Sequence, residues 1–105
     1  MTPTTPSQAS QGLKDLIERA EQDLASRLSI DATEISVVEA REVVWSNSSL
    51  GCPQPGMAYA DVLTPGYLIV LQAKNFNFEY HASTGTELIF CQNPEPPASG
   101  TPIDL

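Results

Sequence analysis

Residues 66–91 read GYLIVLQAKNFNFEYHASTGTELIFC, and the fold class turns on this stretch. Its first part, 66–73, is a continuous apolar run of the kind that a strand buried on both faces carries. Residues 76–82 alternate strictly, with Phe76, Phe78 and Tyr80 on one face, so that face is expected to meet the core. Lys74 and Asn75 supply a turn between the two, STGT (83–86) supplies a second, and ELIFC (87–91) returns as a further strand. The reading is an antiparallel three-stranded meander.

Upstream, Ile35–Trp45 is rich in β-branched residues and reads as one more strand, with Ile35, Val37, Val43 and Trp45 on one parity. Glu39 and Arg41 share that parity, which calls for a bulge midway or a break into two shorter strands. Before it, Leu13, Leu16, Ile17, Ala20, Leu24 and Leu28 recur at three-four spacing, the pattern of an amphipathic helix over about 12–29. Asp15 and Glu18 near its start and Arg27 near its end suit the helix dipole, while Lys14, Glu18, Glu21 and Asp23 are expected to face water. The sum is an α+β domain, one N-terminal amphipathic helix packed on an antiparallel sheet of about four strands, as a two-layer sandwich with a long Pro/Gly loop.

A chain of 105 residues holds one modest core, assigned here to residues 12–91. Residues 1–11 are uncharged and rich in Thr and Pro, and residues 92–105 contain four prolines without a period, so both ends are expected to be flexible tails. The N-terminal stretch also resembles the spacer behind the lipid-anchored cysteine of bacterial lipoproteins, which implies a tethered longer form. A formal net charge of −8 disfavours nucleic acid and anionic lipid as partners. No apolar run approaches the ~20 residues that span a bilayer, so direct membrane insertion is not expected, and neither is a signal peptide.

The loop between the first two strands carries SLGCPQPGMAY (49–59), in which Pro53 and Pro55 restrict φ while Gly51 and Gly56 permit sharp entry and exit. Such a rigid irregular loop either closes the core or presents an ordered surface at little entropic cost. VLTPGY (62–67) adds a turn with Pro65 second and Gly66 third, the type II preference, followed by Tyr67. The residues expected to touch a partner are Leu50, Pro53, Gln54, Pro55, Met57, Tyr59, Pro65 and Tyr67.

Cys52 and Cys91 admit three readings: a disulfide, two independent buried thiols, or a reactive group. The even count in a small, loop-rich domain favours pairing. The absent signal peptide argues for reduced thiols in the cytoplasm. A thiol enzyme would need His81, the only histidine, as the base for Cys52, but no family signature surrounds either residue and His81 reads as a strand residue facing solvent. A zinc site built from Cys52, Cys91, His81 and Glu79 lacks the close ligand pairs that structural zinc uses. GCPQPG puts prolines where a phosphate cradle needs N–H groups. No metal and no cofactor is expected.

The run VVWSNSSLGCPQPGMAYADVLTPGYLIVL, continuing into FEYHASTG, resembles a small uncharacterised bacterial domain family with a Trp, SLGCPQPG, TPGY and YEYH-type signature. That resemblance implies a shared fold and no catalytic residues. The hairpin GYLIVLQAKNFNFEYHASTGTEL is similar, at the level of architecture, to PepSY-type domains, which implies an extracytoplasmic role linked to peptidases; the loop and the cysteine pair depart from that pattern.

Together these readings describe a non-enzymatic binding or modulating module that presents the SLGCPQPG loop to a protein partner. It is expected to be a monomer rather than an obligate oligomer, and extracytoplasmic, periplasmic or lipid-tethered, if the disulfide forms. The alternatives are a small subunit of a larger cytoplasmic complex and, behind it, the Cys52–His81 thiol enzyme.

Overall fold

The computed structural model describes residues 8–85, 87–92 and 94–102. Helix α1 (Gln8–Leu28) and a short 3-10 turn (Ala32–Glu34) precede strands β1 (Ser36–Trp45), β2 (Thr64–Ala73), β3 (Phe76–Ser83), β4 (Leu88–Cys91) and β5 (Ser99–Pro102). The strands form one sheet in the order β4-β3-β2-β1-β5 with every pair antiparallel. The α+β architecture therefore stands, with one helix on an antiparallel sheet.

The helix begins inside the stretch assigned to the N-terminal tail, and residues 1–7 lie outside the described residues. The C-terminal stretch is not wholly a tail either: residues 99–102 pair with Val44 to Arg41 of β1 and make a fifth strand. Four residues carry no detectable period, and their partner lies more than fifty positions upstream, so local pattern does not reveal them.

Leu13, Leu16, Ala20 and Leu24 of α1 are buried against Ala40, Tyr67, Ile69, Leu71, Ala73, Tyr80 and Ala82 of the sheet. The helix ends where Ser29 takes a left-handed φ of 57°, and the Ile30 amide reaches back to the Ala25 carbonyl at 3.0 Å, closing the last turn. Of the three aromatics expected to face this core, Tyr80 is buried and Phe78 is half-buried, while Phe76 is 67% exposed at the hairpin end. That hairpin turns through Lys74 and Asn75, both at positive φ (52° and 68°), as a two-residue loop matching the strand twist requires.

The expected bulge is present. Val37 sits opposite Leu71 and Glu39 opposite Val70, so Val38 is the extra residue. Its effect is to divide β1: Val37 packs on the helix side, while Val43 and Trp45 belong to a second cluster with Leu50, Leu68 and Val70 on the far side. The far face is thus a small core of its own, roofed by loop.

Candidate docking loop and its buried anchor

Residues 46–63 link β1 to β2 and fold back over the far face. Asn47 starts the fold: its side-chain oxygen accepts from the Ser49 amide at 2.9 Å and its carbonyl from the Leu50 amide at 3.3 Å. Leu50 and Gly51 then take left-handed φ values of 59° and 70° in succession. For leucine this conformation costs about 1–2 kcal/mol, and it is held because the side chain, 1% exposed, plugs the cluster formed by Val43, Trp45, Leu68 and Val70. A Cβ on Gly51 would stand 2.6 Å from the Trp45 ring and 2.8 Å from the Glu95 carbonyl, so only glycine fits. Cys52 follows and meets Cys91 of β4 at disulfide distance, Cα to Cα 5.6 Å. In SLGC, leucine is thus a plug, glycine a clearance and cysteine a staple.

His81 lies beneath this anchor, fully buried. Its ring stacks on Trp45 with centroids 4.3 Å apart and planes inclined by 18°. Nδ1 stands 2.6 Å from the Leu50 carbonyl oxygen, an acceptor only, so Nδ1 carries a hydrogen and donates it. Nε2 faces a Glu79 carboxylate oxygen at 2.8 Å, and the Trp45 indole donates to the Ala82 carbonyl at 3.0 Å. The expectation of a solvent-facing His81 is corrected: the parity places it on the face away from the helix, but the loop covers that face. Nor are Cys52 and His81 joined as nucleophile and base, since the sulfur bonds Cys91 and both ring nitrogens have other partners.

Beyond Cys52 the loop emerges into solvent. Gln54-Pro55-Gly56-Met57 forms a tight turn, with the Met57 amide 3.2 Å from the Gln54 carbonyl and Gly56 at φ 80°, the type II pattern of proline second and glycine third. The similar Thr64-Pro65-Gly66-Tyr67 does not turn. It opens β2, with Gly66 lying against the Ala82 carbonyl and the Trp45 indole where no side chain could be placed. Tyr59 closes the loop from within: its hydroxyl accepts from the Gln54 amide at 2.9 Å. Ser48 and Ala60 bridge the two limbs, the Ser48 amide donating to the Ala60 carbonyl at 3.0 Å and the Ala60 amide to Ser48 Oγ at 2.8 Å.

Of the residues expected at a contact surface, Pro53, Gln54, Pro55, Met57 and Pro65 are exposed and Tyr59 is half-buried. Leu50 and Tyr67 are not available: Leu50 plugs the far-side cluster and Tyr67, 3% exposed, packs under the helix. The surface gains instead Val62 and Leu63, which with Met57 are 58%, 69% and 62% exposed. Two adjacent large apolar residues in a loop, ahead of a proline, were the available signal; assigning VLTPGY to a turn hid it.

A second cluster lies on the helix side. Tyr80 donates to Asp23 Oδ2 at 2.6 Å, Arg27 Nε reaches the same oxygen at 2.5 Å, and the Arg27 guanidinium stands 4.3 Å over the Phe90 ring. Partial burial works against the Asp23 charge, but the hydrogen bonds from Tyr80 and Arg27 prevail and hold the carboxyl below its ordinary range. Burial first, then Asp23, push the Tyr80 phenol well above its ordinary range. Asp23 was expected simply to face water, because the helical spacing does not reveal that a tyrosine 57 positions away points at it. These residues border a depression of about 390 Å³ that Arg19, Gln22 and Leu88 complete.

Among the described residues no helix is long and apolar enough to cross a membrane. No curated protein and no solved structure matches the chain. A family model described as a domain of unknown function (DUF8738) matches residues 17–91.

Proposed function

The chain belongs to the DUF8738 family of domains of unknown function, and the match runs through helix, loop and sheet as far as Cys91; on that premise we propose a non-enzymatic binding or modulating module that docks residues 53–63 onto a protein partner. One observation carries the reading: Met57, Val62 and Leu63 are exposed together on a segment fixed at one end by the Cys52 staple and at the other by β2. Apolar side chains held in one conformation lose little entropy on binding, which is how a short loop gains affinity. The engagement of the Cys52 sulfur by Cys91, and of both His81 nitrogens by Leu50 and Glu79, supports binding over thiol chemistry.

The cysteine pair at bonding distance also supports an oxidising compartment outside the cytoplasm. A peptidase is the partner class that the PepSY-like hairpin pattern implies, by analogy of architecture.

A photo-crosslinking amino acid placed at Leu63 in the native host's cells, with the same group at Lys74 as the comparison, tests the reading. Leu63 is expected to give one discrete adduct that Lys74 does not, and the double change Pro53→Ala/Pro55→Ala is expected to weaken it while circular dichroism and the disulfide stay intact. Identical products from both positions would remove the loop from the contact surface.

A further inference from the structure

His81 is buried between two acceptors and, when neutral, has a hydrogen for only one of them. Nδ1 faces the Leu50 carbonyl oxygen at 2.6 Å and Nε2 faces Glu79 Oε1 at 2.8 Å. A neutral imidazole carries one N–H, whereas the imidazolium carries two. The ring cannot turn to other partners, because Trp45 is stacked on it at 4.3 Å and Leu68 and Ile89 flank it as cross-strand neighbours. Serving loop and strand together therefore takes one proton more than a neutral ring and an ionised carboxylate hold between them.

Glu79 opens onto a depression of about 280 Å³ that it shares with Arg41 of β1 and Glu95 of the C-terminal stretch. Arg41 is held by Glu39 at 2.7 Å, and Glu95 is exposed. β2 and β4 present Leu68 and Ile89 to the ring, β1 presents Trp45 and the loop presents the Leu50 carbonyl, none of them charged. The Glu79 side chain is 35% exposed, which gives the extra proton a way to and from solvent. Removing that proton leaves one N–H for two acceptors. A hydrogen bond to a carboxylate is roughly twice as strong as one to a neutral carbonyl, so the remaining hydrogen goes to Glu79. Nδ1 then turns a lone pair toward the Leu50 carbonyl, and Leu50, at a φ of 59° that its surroundings must hold, faces repulsion where it had a donor.

We propose that the proton shared by His81 and Glu79 is a latch on the SLGC anchor. With it the ring ties the loop to β3; without it the Leu50 carbonyl is released, while the Cys52 staple keeps the loop attached. The latch acts on the loop whose outer limb carries the docking reading, but it rests on the geometry around His81 alone, and its test contains no partner, so either holds without the other.

His81 is the only histidine, so the ¹⁵N-labelled full chain gives one pair of ring-nitrogen signals. The test follows them by NMR between about pH 5 and 9, a span that brackets the range in which histidines change charge. At the acid end both ring nitrogens are expected to carry hydrogen. At the alkaline end Nε2 alone is expected to carry it, and the Gly51 amide, which is bonded to the Leu50 carbonyl carbon, is expected to shift with the same midpoint. Glu79→Gln replaces the carboxylate by an amide that can donate to Nε2, so a neutral ring then serves both sides. In that variant Nδ1 is expected to keep its hydrogen, and the Gly51 amide its position, over the whole span. The proposal is overturned by ring nitrogens whose hydrogens do not change across the span, by loss of hydrogen from Nε2 in place of Nδ1, or by a Gly51 shift that persists in Glu79→Gln.

Discussion

Gly66 occupies a point where three backbones and one indole converge. A Cβ there would run into the Ala82 carbonyl and stand 2.8 Å from Trp45 Nε1; the carbonyl cannot withdraw without opening the β2–β3 ladder, nor the indole without giving up its hydrogen bond to that carbonyl. Gly66→Ala is therefore expected to destabilise by about 2–4 kcal/mol in denaturant unfolding. At Gly56, by contrast, nothing lies within 4 Å and only the φ of 80° resists a side chain, so Gly56→Ala is expected to cost about 1–2 kcal/mol. Asp23 gives a pH signature. Its folded-state pKa is depressed, so its contribution is present above the unfolded value of about 3.9 and is lost as pH falls through the folded value. Tyr80→Phe should accordingly lose more stability at neutral pH than in acid strong enough to protonate Asp23, by a modest amount because the Asp23 side chain is 42% exposed and solvent screens it. Legibility at this scale was uneven. The pairing of Cys52 with Cys91 is favoured, over free thiols, by an even count in a small domain, whereas the burial of His81 depends on whether a loop folds over its face, and no periodicity within a loop records that.

The bulge in β1 makes a prediction of its own. Deleting Val38, the 50% exposed extra residue, leaves Val37 opposite Leu71 and Glu39 opposite Val70 in an uninterrupted ladder. Deleting Ala40 would instead slide Glu39 into the position facing Ile69 beneath the helix, with an uncompensated carboxylate in the core. The first deletion is expected to keep the native amide spectrum, and the second to abolish cooperative unfolding. The alternation that read β3 correctly also read β1 correctly once a bulge was allowed, because strand parity is a local property. The two Pro-Gly pairs show where local reading stops: Pro55-Gly56 turns and Pro65-Gly66 extends, and what separates them is the approach of β3 and Trp45 to Gly66, set by residues far along the chain. β5 escaped notice for the same reason, being defined by its partner rather than by its composition.

Across the whole molecule the sheet has two covered faces held by different means, apolar packing under α1 and a covalent staple under the loop. Cys52 and Cys91 are separated by 39 positions, and opening a closure of that length is expected to cost about 4 kcal/mol in the chain-entropy account. Mild reduction should therefore lower the thermal midpoint markedly and expose the far-side cluster before the helix melts, a sequence that near-ultraviolet and far-ultraviolet circular dichroism would separate. The same arrangement has an optical consequence. Trp45 is the only tryptophan, and it is fully buried with an imidazole stacked against it and the stapled loop overhead. Its emission is placed to report on the seating of that loop, and a change in colour or intensity would register the loop lifting from the sheet even while the helical face stays closed.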